Sequence, residues 1–271
     1  MCALPYGEAV EPFETIRLDR EGDVLVATID RPGNDLNAVD ATLHEELGGL
    51  FRLLKRERSA RAVLLTGSKR AFTAGGDFGW FPKLRDVETL DHLRRDGKQL
   101  IWDLLDVEQP IVAAVNGPAI GLGASIALLC DVIVMAETAV IADPHVKVGI
   151  VAGDGGAAIW PLLVGPAIAK QYLLTGDPVS AATAERLGLV NEVVPDADVR
   201  ERGMAWARRL AAGAPLAVRA TKAAVNQQVK RALLDSFDLS TALEMTTFLS
   251  ADHQEALDAI AEKRPPEFRG R

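Results

Sequence analysis

The chain has 271 residues, 48% of them hydrophobic, enough to bury one substantial core with room for a smaller appendage. Its net charge of −8 argues against nucleic acid as a partner, because phosphate recognition needs a concentrated basic face. Two cysteines, Cys2 and Cys130, give no disulfide framework, and no basic segment followed by an apolar run opens the chain. The expectation is a reduced, cytoplasmic protein without a secretory signal.

Residues 14–20 and 23–30 read as two strands joined by Glu21-Gly22, and Arg31-Pro32-Gly33 stops the second. Asp40 is placed to cap a helix over residues 41–58, with Leu43, Leu47, Leu50, Phe51 and Leu54 on one face. A short apolar strand, residues 61–66, then delivers the chain to Ala71-Phe72-Thr73-Ala74-Gly75-Gly76-Asp77. Gly75 and Gly76 let the backbone approach a ligand closely, and N–H donors at such a turn suit an oxygen gaining negative charge. An ordinary Gly-Gly loop has the same composition. Residues 79–96 read as a mobile, polar-edged segment in which Trp80 and Phe81 are either walls of an acyl pocket or plain core.

A helix through residues 100–105 ends before Pro110, and residues 111–115 form a strand. That strand feeds a second glycine-spaced stretch, Asn116-Gly117-Pro118-Ala119-Ile120-Gly121-Leu122-Gly123-Ala124-Ser125. Residues 111–130 carry no charge, yet Asn116, Pro118 and three glycines make them strand, turn and buried helix and not a membrane span. Further strands fall at 132–135, 140–142 and 190–194. Helices are expected at 159–164, 181–187, 200–212, 215–234, 236–249 and 253–263.

The two glycine turns in this order, with Arg31-Pro32 and Leu36-Asn37-Ala38 upstream, resemble the enoyl-CoA hydratase/isomerase (crotonase) superfamily over residues 13–269. The resemblance implies an α/β fold: a spiral of ββα units over residues 1–200, then a helical carboxyl-terminal region, 201–271, that builds trimers or dimers of trimers and covers the active site. It implies an acyl-CoA thioester substrate, with coenzyme A as part of the substrate and no separate cofactor. The thioester carbonyl would sit between two backbone N–H groups, assigned to Ala74 and Leu122. Leu36, Ala38, Gly75, Gly76, Asp77 and Ser125 would line the substrate and coenzyme site. The coenzyme's phosphates need local positive charge, for which Lys69-Arg70 and Lys263-Arg264 are candidates; ordinary surface charge explains such pairs equally well.

Hydratases of this superfamily use two glutamates as acid and base, and here Ser125 and His145 stand at those positions. A serine hydroxyl is too weak an acid or base to replace a carboxylate unaided. Three other groups are therefore candidates for proton transfer: His145, with an ordinary pKa near 6.5; Asp154, between glycines at an expected helix start; and Glu244 on a late helix. Structural roles for the same three are a hydrogen-bonded histidine, a helix cap and a solvated glutamate.

This set resembles that of the β-diketone hydrolase branch of the superfamily, which cleaves a carbon–carbon bond. That branch also carries a histidine where this chain has Leu122, so hydration of a 2-enoyl thioester is the leading expectation. Hydrolytic or retro-Claisen cleavage of a β-diketone or β-keto thioester is the second, and a non-catalytic acyl-CoA binder the third. There is no phosphate-loop motif, Cys-x-x-Cys or His-Glu-x-x-His, and the four histidines are scattered, so neither a metal nor a redox cofactor is expected.

Overall fold

The computed structural model describes residues 13–271; Cys2 and the start of the chain lie outside the described residues. Strands β1 (Ile16–Glu21) and β2 (Val24–Ile29) form an antiparallel hairpin whose turn holds Gly22 at φ +62°. Helix α1 (Ala41–Arg56) follows, with the Asp40 carboxylate accepting the Leu43 N–H at 3.0 Å and the expected leucine face buried. Strands β3 (Ala62–Gly67), β4 (Ile111–Val115), β6 (Val132–Ala136) and β9 (Glu192–Val194) add in parallel, giving a six-stranded sheet in the order β1-β2-β3-β4-β6-β9. Strands β2 and β4 are buried along their whole length. This is why they read as unbroken apolar runs and not as alternating ones.

A second, small sheet pairs β5 (Ala119–Ile120), β7 (Val140–Ala142) and β8 (Val179–Ser180). Strand β4 runs through Asn116-Gly117-Pro118 into β5, and β6 runs into β7 in the same way. The chain after β3 makes an isolated parallel bridge from Thr73 to Ala119. Each successive unit thus places one strand in the large sheet and a short extended piece in the small one, which is the ββα spiral. The corners demand glycine. A Cβ on Gly67 would run into the Ala71 carbonyl, and one on Gly117 into the Arg70 carbonyl.

The remaining helices are α2 (Val87–Asp106), α3 (Leu122–Leu128), α4 (Gly156–Thr175), α5 (Ala181–Leu187), α6 (Val199–Ala211), α7 (Pro215–Phe248) and α8 (Ala251–Glu262). Two expectations are corrected here. Residues 79–96 are no loop: a 3-10 turn at Phe81–Lys83 leads to α2, whose cap Asp86 accepts the Thr89 N–H at 2.9 Å. Leu84 and Leu90 are buried there in a small cluster with Ile150 and Phe248. The helices expected at 215–234 and 236–249 are one, because Ser236 donates back to the Ala232 carbonyl at 3.3 Å instead of capping a new helix.

Helix α4 is long and apolar enough to cross a bilayer by length and composition. Its backbone breaks at Gly165 (φ 76°, ψ 158°), beside Pro166, so it is two short helical pieces. In the core, Cys130 is a free buried thiol bonded to the Ile126 carbonyl at 3.3 Å, and burial pushes its pKa well up.

Candidate active site

The two glycine turns are laced together by main-chain bonds: Thr73 N–H donates to the Pro118 carbonyl at 3.1 Å, and Ile120 N–H to the Thr73 carbonyl at 3.0 Å. Gly75 sits at φ +78°, and a Cβ there would approach the Ile120 carbonyl to 2.9 Å. The assignment of Ala74 as an oxyanion donor is corrected by this geometry. Its N–H already donates to the Leu36 carbonyl at 2.9 Å, whereas the N–H groups of Gly76 and Leu122 have no acceptor among the described residues. Gly76 and Leu122 both line one cavity. A side chain at Gly76 would run into the ring of Phe81, which rests on that turn.

Residues beside the first turn hold it in shape. Asn37, fully buried at φ 49°, donates to the Ile29 and Ala71 carbonyls at 3.0 and 3.1 Å and accepts the Arg31 N–H at 3.0 Å. The Ala38 carbonyl accepts from Arg31 at 2.8 Å. Asp77 pairs with Arg31 and accepts the Gly79 N–H at 2.7 Å; burial pushes its pKa up, but these bonds prevail and lower it. Gly75 and Gly76, with Ala74, Phe78 and Ile120, line an outer groove of about 60 Å³ that adjoins the cavity at Phe81 and His145. Of the basic pairs, Arg264 is committed to Glu255 at 3.0 Å, and Lys69 lies 3.7 Å from Asp35.

The proton-transfer candidates converge. His145 opens a 3-10 turn (His145–Val148), Asp154 lies in the loop before α4, and Glu244 projects from α7. His145 Nε2 is 3.5 Å from Asp154 Oδ2 and 3.9 Å from Glu244 Oε1, while Nδ1 is hydrogen-bonded to Asp143. Ser125, fully buried, donates to Asp154 Oδ1 at 3.3 Å, so it positions that carboxylate and does not line the cavity. The glycines around Asp154 make room for this crowd. A Cβ on Gly153 would come within 2.7 Å of the Ser240 carbonyl and run into Glu244, and one on Gly156 would run into Asp143.

Burial alone would lower the pKa of His145, but Asp143, Asp154 and Glu244 together outweigh it and raise the value well above 6.5. Its surroundings therefore favour the charged form of the ring. Burial, with a contribution from Asp143, pushes Asp154 up to about 6, against the opposing pull of His145 and Ser125. Burial, then Asp154 and Asp143, push Glu244 well above the carboxylate range despite His145. The surroundings thus favour the proton on Glu244 more than on Asp154, the split that assigns an acid and a base.

Asp143, His145 and Asp154 also offer one ligand atom each within 4.8 Å of one another, a proximity that residue spacing did not suggest. The Nδ1 of this set is already paired with Asp143, leaving Nε2 as the free ring nitrogen.

The cavity has a volume of about 80 Å³ and opens to solvent. Trp80 and Phe81 are among its walls, as the pocket alternative required, with Leu84, Ile150, Met245 and Phe248 completing an apolar surface. Sequence reading gave Gly76 a place beside the substrate but not the free amide, and it missed Asp143 and His44. Gly76 is the second glycine of a pair in which only Gly75 has the left-handed backbone; Asp143 is two residues from His145 in Asp143-Pro144-His145. His44 sits on the buried face of α1, with nothing in the sequence to mark it as facing a cavity.

The enoyl-CoA hydratase/isomerase family profile matches residues 19–271. A probable enoyl-CoA hydratase of Rhodobacter capsulatus is 35% identical over 260 residues, 96% of this chain and 99% of the relative. The crystal structure of an enoyl-CoA hydratase/isomerase from Mycobacterium paratuberculosis superimposes with a TM-score of 0.86 at 39% identity, covering 91% of this chain and 98% of that one. A β-diketone hydrolase from the cyanobacterium Anabaena, bound to (S)-3-oxocyclohexyl acetic acid, gives a TM-score of 0.82 at 33% identity, covering 88% and 95%. Fold and comparisons define a crotonase-type protein. The chain belongs to the enoyl-CoA hydratase/isomerase family.

Proposed function

We propose that this protein is an acyl-CoA enzyme that adds water across the double bond of a 2-enoyl thioester. The observation that carries the reading is that Gly76 and Leu122, whose amides have no acceptor among the described residues, line the cavity that also holds His145, Asp154 and Glu244. The thioester oxygen accepts both N–H groups. As the Asp154 carboxylate takes a proton from water, the oxygen of that water bonds to the β carbon and the π electrons move onto the thioester oxygen, where the amides stabilise the enolate. The enolate collapses by taking the Glu244 proton at the α carbon. His145, within 3.5 Å of Asp154 and 3.9 Å of Glu244, then hands its Nε2 proton to Glu244 and recovers one from Asp154. Relatives named as enoyl-CoA hydratases support this reading.

Replacing Asp154 by Asn is expected to cut kcat with crotonyl-CoA by about a hundredfold or more while leaving KM nearly unchanged. In the wild type, kcat/KM should fall as the pH drops through about 6, where Asp154 is protonated, and the residual rate of D154N should lack that limb. Wild-type turnover in D154N would remove Asp154 from the mechanism.

A second reading, hydrolytic cleavage of a β-diketone or β-keto thioester, is supported by the gathering of His145, Asp154 and Glu244 and by the likeness to a β-diketone hydrolase. The same activated water would then attack a carbonyl carbon. Assay of a cyclic β-diketone beside crotonyl-CoA separates the two, and tight thioester binding without turnover of either would mark a non-catalytic binder. The helices after residue 200 are proposed to serve twice: they bring Glu244, Met245 and Phe248 to the cavity, and their outer leucines form the contacts of a homotrimer or a dimer of trimers.

A further inference from the structure

The α1–α2 side of the cavity differs chemically from the rest of its lining. His44 projects from α1, and its Nε2 would lie 3.7 Å from a Cβ on Gly97 of α2. Arg94 and Lys98, on the same face of α2 as Gly97, line the cavity too. His44 is only 8% exposed and its ring makes no hydrogen bond with any described residue; Trp80 is an aromatic neighbour, at 5.8 Å between ring centroids. An unpartnered buried imidazole is costly unless whatever enters the cavity bonds to it. Away from the His145 cluster, the polar side chains on the wall among the described residues are His44, Arg94, Lys98, Thr241 and the indole of Trp80, and none of these is acidic.

The carboxylates near these cations are shared or otherwise engaged. Asp91 serves Arg94 at 2.7 Å and Arg95 at 2.6 Å, Lys98 meets Asp238, and Asp96 is paired with His92 at 3.1 Å. Arg94 and Lys98 keep about a third of their side chains exposed, so each can exchange its pairing with Asp91 or Asp238 for an anion in the cavity without unfolding the helix. Burial holds His44 neutral, with its pKa lowered to about 4 against the pull of Asp96, so its N–H is available as a directional donor.

We infer that the α1–α2 end of the cavity, formed by His44, Arg94 and Lys98, is a subsite for a carboxylate at the far end of the acyl group, so the preferred substrates are thioesters of dicarboxylic acids. This rests on the reading that an acyl thioester occupies the cavity, but not on the reaction performed there. A simple alkyl terminus would leave His44 without a partner and would gain nothing from the two cations. A carboxylate satisfies all three groups through charge-assisted hydrogen bonds.

The test is a binding titration of the intact protein with saturated, unreactive coenzyme A thioesters of six and eight carbons, ending in carboxylate, hydroxyl or methyl. The carboxylate-ended member of each length should bind at least about tenfold more tightly than the methyl-ended one. That preference should disappear in the R94M/K98M double variant and persist in R95M, which shares Asp91 but does not line the cavity. Circular dichroism of the double variant checks that it is folded. H44F should weaken the carboxylate and hydroxyl ligands but not the methyl one.

Equal or tighter binding of the methyl-ended or hydroxyl-ended thioester overturns the inference, as does a carboxylate preference that survives in the folded double variant. Enoyl analogues of the same compounds, assayed for hydration in parallel, keep the two readings separate. Carboxylate preference without hydration removes the reaction and keeps the subsite, hydration without preference does the reverse, and no thioester binding removes both.

Discussion

Asp143 holds the nitrogen of His145 that faces away from Asp154 and Glu244, so the imidazole can exchange protons only through Nε2. The D143N variant removes the carboxylate bonded to Nδ1, the strongest of the groups that keep the ring charged. Its His145 pKa should fall, read by NMR titration of the imidazole, with kcat falling and thioester affinity kept. The sign carries over to stability. A histidine whose pKa is raised on folding contributes stabilisation that is fully present below about 6.5 and lost as the pH climbs through the raised value; D143N should shrink that contribution.

At this scale the sequence was legible in chemistry and illegible in direction. His145, Asp154 and Glu244 stood out as titratable groups, yet residue order could not say that Asp143 would be turned onto Nδ1, or that Ser125 would support Asp154 from behind. Ala74 was misread for the same reason. Whether an amide is free depends on its acceptor, and the Leu36 carbonyl lies far away in the chain.

The glycine loop Gly153-Asp154-Gly155-Gly156 and helix α7 form a fitted pair. A Cβ at Gly153 would crowd both Glu244 and the Ser240 carbonyl, so the loop can carry no side chain where the helix crosses it. Replacing Gly153 by Ala should destabilise the fold by about 1–3 kcal/mol, the usual penalty of overpacking, seen as a lower urea midpoint at unchanged slope. Activity should fall further than stability alone explains, because Glu244 is what the new methyl displaces.

Regular elements with strong patterns were readable: the leucine face of α1, the apolar runs of β3 and β4, and both glycine corners were expected where they lie. The failures came where a polar residue was taken as a stop or a loop. Ser236 returns its hydroxyl to the preceding turn and lets α7 continue over 34 residues, and Asp86 starts a helix in a stretch whose charges suggested none. The two-residue strands β5 and β8 are too short to have a period at all.

Over the whole molecule, large apolar side chains remain at the surface of the carboxyl-terminal region, among them Leu239 at 64% and Leu243 at 47% exposure, one turn apart on α7. If these are subunit contacts, L239E should raise the concentration at which the protein dissociates by about a hundredfold, measured by sedimentation velocity, with the isolated subunit still helical. A wild-type protein that sediments as a monomer at micromolar concentration would end the trimer proposal. The spiral was legible from the resemblance of two short motifs, whereas subunit arrangement depends on which exposed leucines meet a neighbour, and a single chain does not encode that locally.

The buried thiol of Cys130 also gives this fold a built-in clock. Held against the Ile126 carbonyl with its ionisation suppressed, it is out of reach of an alkylating reagent until the layer of α3 and the central strands comes apart. In a chain with Cys2 changed to serine, the rate of iodoacetamide labelling would time that opening directly, and a ligand that grips the Gly76 and Leu122 amides would slow it in proportion to its occupancy.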